Sequence, residues 1–214
     1  MALLRHVFGP SKDEIWSQIA TDIGGIYEEG GFLGTDTLQY KSGEWLISLD
    51  TITESSGNTI GPGDGHHQSH TQVHTRMRAP FINKDSLQFK IYRESIFSPI
   101  GKMLGFQDVI IGDPLFDDSF IIKSNNEEKI KQLLNDDSLK SLITKVPDIC
   151  FEIADDDGFF ADDFPDGVDQ LLFTYDGEIR DKTLIRDLFD LFTCTLERLV
   201  QIDSAYEDDP GIQL

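Results

Sequence analysis

The spacing of apolar residues changes period several times along the chain. Ile15, Trp16, Ile19, Ala20 and Ile23 recur three and four positions apart, the pattern of a helix that buries one stripe. Ser11-Lys12-Asp13-Glu14, just after Pro10, has capping-box spacing, in which a serine hydroxyl and a glutamate carboxylate satisfy each other's backbone amides. Gly24 and Gly25 provide the stop. A helix over about 12–23 is predicted. In TLQYKSGEWLISLDTIT the period falls to two: two extended runs meet around Ser42-Gly43, with Trp45, Ile47 and Leu49 alternating against Ser48 and Asp50. That pattern predicts a hairpin, followed by an exposed loop from Glu54 to Gly65.

Alternation resumes near His70. Val73, Thr75, Met77 and Ala79 share one face, and His70, Gln72, His74, Arg76 and Arg78 share the other. The first face is expected in the core and the second in water. After Pro80, LQFKIYR repeats the pattern with Leu87, Phe89 and Ile91 inward and Gln88, Lys90 and Tyr92 outward, and the two strands are expected to pair antiparallel.

The second half of the chain has shorter elements. FDDSFIIKS reads as a strand, Ser124 to Glu127 as a second capping box, and Ile130, Leu133 and Leu134 as the buried stripe of a short helix. Asp137 is the expected cap of another helix, with Leu139, Leu142, Ile143 and Val146 inward. Strands near 148–154 and 170–175 flank an aspartate-rich turn. Asp181 then caps a helix of about 20 residues carrying Leu184, Leu188, Leu191, Leu196 and Leu199. The elements predict a single α+β domain over 1–205: a mainly antiparallel sheet, an N-terminal helix, two short middle helices and a long C-terminal helix. Residues 206–214 form a flexible acidic tail in this reading.

The run from His74 to Leu134 includes FDxxFxIKSN (Phe116 to Asn125) and a short helix ending in the paired leucines Leu133 and Leu134. With the closing leucine-rich helix, it resembles a group of uncharacterised bacterial soluble proteins. The resemblance covers roughly the middle third and the end of the chain. It implies a bacterial α+β domain of unknown function and supplies no catalytic residues.

Charge narrows the choice of partners. The 214 residues carry 18 Lys and Arg against 39 Asp and Glu, a formal charge of −21, which opposes binding to nucleic acid or to an anionic membrane surface. Neither partner is expected. The asymmetry is strong: residues 1–107 hold 12 acids and 9 bases, net −3, and residues 108–214 hold 27 and 9, net −18. Between 66 and 93 the balance reverses, with five bases (Arg76, Arg78, Lys84, Lys90, Arg93) against Asp85. The N-terminus has too short an apolar stretch for a signal peptide, so a cytoplasmic location is expected. Cys150 and Cys194 lie in apolar-patterned segments without metal or redox spacing and read as reduced core thiols.

His66, His67, His70 and His74, with Asp64, could nominally supply zinc ligands, and His66 and His67 are the weak candidates. On a strand, though, His70 and His74 stand about 13 Å apart, too far for one ion. Seven aspartates between Asp155 and Asp169 suggest a cation loop, but the EF-hand order fails: with Gly158 at its glycine position, the first ligand position falls on Ile153. No phosphate-binding loop, dinucleotide fingerprint or nucleophile elbow is present, and no cofactor is expected. The sequence favours a non-enzymatic protein-interaction module with a basic sheet face and an acidic C-terminal half, meeting a partner or a second copy of itself. The alternative is an enzyme or small-ligand binder that uses His70, His74, Arg76, Arg78, Lys90 and Tyr92 for an anionic ligand.

Overall fold

The computed structural model describes residues 9–31, 34–57, 69–93, 105–154 and 164–212, with backbone only at 54–57 and 69–70. Helix α1 spans Lys12–Ile23. Ser11 accepts from the Glu14 amide at 3.2 Å, and Gly24 ends the helix in the left-handed region at φ 75°. The sheet strands are β1 (Ile26–Glu28), β2 (Thr37–Ser42), β3 (Trp45–Gly57), β4 (Ser69–Ile82), β5 (Phe89–Tyr92), β6 (Gln107–Asp108), β7 (Ile121–Ser124), β8 (Cys150–Ala154) and β9 (Val168–Asp176). Among the described residues they form one nine-stranded sheet in the order β1-β2-β3-β4-β9-β8-β5-β7-β6, and every neighbouring pair is antiparallel.

The remaining helices are the single turn α2 (Pro114–Asp117), α3 (Glu127–Leu134), α4 (Asp137–Lys145) and the 20-residue α5 (Lys182–Gln201). The architecture is therefore the α+β arrangement that the periodicities predict. Leu188, Leu191, Leu196 and Leu199 of α5 are buried, together with Phe189 and Phe192. Phe192 packs on Phe151 of β8 with ring centroids 5.4 Å apart, and Phe189 meets Tyr40 of β2 edge-on at 5.9 Å. Trp16 of α1 donates its indole N–H to the Ile179 carbonyl at 3.1 Å, tying the first helix to the chain just after β9. The main core lies between these helices and one sheet face, formed by Leu38, Ile47, Leu49, Met77, Ala79, Phe81, Phe89, Ile91, Phe151 and Phe173.

Several local expectations are corrected. The cap of α3 is Asn126, whose side chain accepts from the Lys129 amide at 3.1 Å. Ser124 instead donates its hydroxyl to the Gln88 carbonyl at 2.8 Å, because it still belongs to β7. Asp136 caps α4, and Asp137 is the first helical residue. The loop expected from Glu54 is strand as far as Gly57, held by pairing with β4. The short edge strands β1 and β6 carry too few residues for a period to be read. The larger correction concerns pairing: β4 pairs with β3 and β9, and β5 pairs with β7 and β8, so β9 and β8 stand between the two strands expected to be neighbours. Ala205 bridges Asn83, and the Tyr206 amide donates to the Ile82 carbonyl at 3.1 Å, which anchors the chain after α5 beside the end of β4.

Candidate functional site

His74, Arg76 and Arg78 of β4 lie on the sheet face opposite the described helices. Cross-strand partners place Gln39, Ser48, Arg78, Leu172, Glu152, Lys90, Lys123 and Asp108 in a single row across eight strands. The adjacent row brings Thr37, Asp50, Arg76 and Thr174 together, with Cys150 opposite Tyr92 further along. Arg76, Arg78, Lys90 and Tyr92 therefore do share one face, although β4 and β5 never touch. Gln72 is exposed as expected, but from Arg76 onward the face is not wet. Arg76 and Arg78 are each 8% exposed, Lys90 5% and Tyr92 7%, and Asp50, Cys150 and Leu172 are buried beside them.

The charges are buried because they are matched. The Arg76 guanidinium grips Asp50 with two bonds, Nε to Oδ1 at 3.0 Å and Nη2 to Oδ2 at 2.7 Å, the forked geometry that is strongest for a carboxylate. Arg78 reaches the same Oδ2 at 3.4 Å. Lys90 donates to Glu152 at 3.1 Å. Burial pulls the Lys90 ammonium toward its neutral form, but the Glu152 carboxylate and Cys150 outweigh it and hold the pKa above its ordinary value. Lys123, directly opposite Lys90, turns the other way to Asp108 at 2.6 Å, so the row reads acid, base, base, acid without two ammonium groups sharing a partner. His74 meets Asp176 through Nδ1 at 2.9 Å. Ser48 and Gln170 are 0% exposed on this face, and among the described residues the Ser48 hydroxyl and both ends of the Gln170 amide have no hydrogen-bond partner.

His70 lies on β4, where only the backbone is described; His66 and His67 lie outside the described residues, as do Asp155, Asp156, Asp157, Asp162 and Asp163. Asp169 binds the Asn83 amide at 2.5 Å. Among the described residues no group of three or more His, Cys, Asp or Glu side chains is arranged to hold a metal ion, and no helix is long and apolar enough to cross a membrane. Neither Cys150 nor Cys194 is in a disulfide; burial raises the Cys194 pKa, with Asp136 adding to it.

A second feature escaped the sequence reading. Between β6 and α2 the chain forms a tight loop in which Asp117 accepts from the amides of Ile111 (3.0 Å) and Gly112 (2.9 Å). Gly112 takes φ 89°, a conformation glycine adopts without strain. Asp113 caps α2 and is clamped by Lys140 at 2.8 Å; this bond, with the Phe116 amide, lowers the Asp113 pKa. Val109 and Phe116 plug inward, with the Phe116 and Phe120 rings 4.5 Å apart. Ile110 and Leu115 point outward, 66% and 84% exposed.

No protein-family model and no curated protein matches the chain. Among solved structures, the crystal structure of the mycobacterial trehalose monomycolate transport factor A, TtfA, is similar at a TM-score of 0.48 and 10% sequence identity, over 94% of this chain and 98% of that one.

Proposed function

We propose that this protein is a non-enzymatic interaction module that engages a basic protein partner through its acidic C-terminal half, with Ile110 and Leu115 as apolar anchors. The observation that carries this reading is the loop from Val109 to Phe116. Its backbone is fixed by Asp117 and Asp113, yet it holds two large apolar side chains out in solvent. A preorganised apolar anchor loses little entropy on binding, and such anchors dominate interface energies. Charge supports the nature of the partner. The 108–214 half carries net −18, and Asp118 and Asp137 lie exposed near the loop's ends, so a second copy of this chain is repelled and a basic surface is attracted. Arg76, Arg78 and Lys90, part of the contact expected from sequence, are paired internally with Asp50 and Glu152.

The test is retention of proteins from the native host by immobilised wild-type protein and by Ile110→Ser with Leu115→Ser, at low and high salt. A partner of net positive charge that is held by the wild type and released by the double substitution supports the reading. High salt should weaken its retention. An identical retained set for both proteins rejects it. The substituted side chains are exposed, so folding stability should stay within about 0.5 kcal/mol.

A further inference from the structure

The loop that carries Ile110 and Leu115 grows directly out of a sheet edge. Among the described residues β6 is the last strand of the sheet and pairs with β7 alone, Gln107 opposite Ser124 and Asp108 opposite Lys123. Just beyond it, the Val109 amide donates to the Ile122 carbonyl at 2.9 Å. Successive residues of an antiparallel ladder turn their backbone groups to opposite sides. Gln107 and Val109 therefore face β7, and Asp108 directs its N–H and C=O away from it, with Phe106 and Ile110 at positions of the same parity. Gln107, Asp108 and Ile110 are exposed, so this edge meets solvent. The amides of Ile111 and Gly112 are taken by Asp117, which ends the edge at Ile110. Among the described residues the other edge strand, β1, offers a single exposed large apolar side chain, Ile26.

We propose that an extended basic segment of the partner adds to β6 as a further strand, pairing with the outward backbone groups at Asp108 and laying apolar side chains against Ile110 and Leu115. The proposal rests on the reading of those two residues as anchors and specifies the shape of what they hold. In strand addition the main-chain hydrogen bonds supply affinity and the side-chain contacts supply specificity. An uncovered edge is a template for any extended chain, and proteins guard such edges with short strands and charge. Here the guard is acidic. The Asp108 side chain is 74% exposed even while it binds Lys123, and Asp118 and Asp137 are exposed nearby, Asp137 sharing Lys140 with Asp113. Acid at the edge turns away a second copy of this chain and admits a segment rich in Lys or Arg. The stretch from Gln107 to Ile110 spans about 13 Å by strand rise, enough to pair with about four residues.

The experiment measures binding of the full chain to a fluorescent peptide of about eight residues that alternates lysine and valine, and to two twins N-methylated at every lysine or at every valine. All three peptides carry the same charge, so attraction to the acidic half is common to them. Strand pairing uses the N–H groups of one alternating set only. One twin should therefore bind as the parent peptide does and the other about tenfold more weakly. Wild type, Asp108→Ala, Asp108→Pro and Ile110→Ser/Leu115→Ser are compared. Asp108→Pro removes the outward N–H and no bond to β7, so it should bind the parent peptide about tenfold more weakly than Asp108→Ala at an equal melting midpoint. If proline lowers the midpoint, the twins on the wild type decide alone. Equal binding of all three peptides, equal weakening of both twins, no binding of the parent peptide, or equal affinity of the alanine and proline variants at equal midpoints overturns the added strand. Failure of the anchors has a different signature: the serine variant then binds the parent peptide as wild type does and still tells the twins apart. Twins that bind alike on the wild type, with the serine variant weakened toward both, keep the anchors and reject the edge.

Discussion

On the helix-covered side of β4, Met77, Ala79 and Phe81 are each 0% exposed and sit in a continuous hydrocarbon core; on the other side of the same strand, Arg76 and Arg78 are 8% exposed and bound to Asp50. Both faces exclude water, by different means. Apolar side chains gain from burial in proportion to area, whatever their exact neighbours. Buried charges gain only when a counter-charge is present in good geometry, and removing one partner leaves the other stranded. The first face should thus be graded in its response to substitution, and the second should respond sharply to loss of one member of a pair and mildly to loss of both.

The largest effect is expected at Asp50. Asp50→Ala leaves two buried guanidinium groups without their shared carboxylate and should cost about 3–5 kcal/mol in urea denaturation. A loss below about 1 kcal/mol would mean that the charged face opens to water in solution. Next, Leu188→Ala on the buried face of α5 should cost about 2–5 kcal/mol by lost transfer energy and a residual cavity. A change within about 0.5 kcal/mol would break the hydrocarbon side of the comparison. The smallest effect is the alkaline limb. Because Glu152 and Cys150 hold the Lys90 pKa above its ordinary 10.5, the stability it contributes is complete below 10.5 and is lost as pH rises through the elevated folded value. The denaturation midpoint of the wild type should therefore fall above that pH. Lys90→Met with Glu152→Leu should flatten this part of the fall while leaving neutral-pH stability near that of wild type. An unchanged slope in the double variant would show that the pair carries none of the alkaline loss.

Legibility followed the range of the interactions. The cap at Ser11, the stop at Gly24 and the Asp181 cap are set by neighbours three or four residues away, and all three stand where the spacing places them. Asn126 and Asp136 were missed because several adjacent residues can cap, and only the path of the preceding element, a strand before Asn126 and a helix before Asp136, decides which one does. At the buried charged face, alternation correctly set Arg76, Arg78, Lys90 and Tyr92 on one side of the sheet. It gave no sign that Asp50 and Glu152 would be their partners. The loop bearing Ile110 and Leu115 was hidden behind an apolar run, Val109-Ile110-Ile111, that reads like core, yet Ile110 is 66% exposed where Asp117 holds the backbone turn.

What the sequence by itself determined is the longer elements, their inward faces and the uneven charge, because each depends on local period and composition. Tertiary structure alone decided the strand order. By inserting β9 and β8 between β4 and β5 it carried Glu152 to Lys90, 62 residues away, and by pairing β3 with β4 it brought Asp50 to Arg76, 26 residues away. Period two separates polar from apolar positions, but whether a polar position is wet or dry depends on which distant counter-charge the sheet register places opposite it.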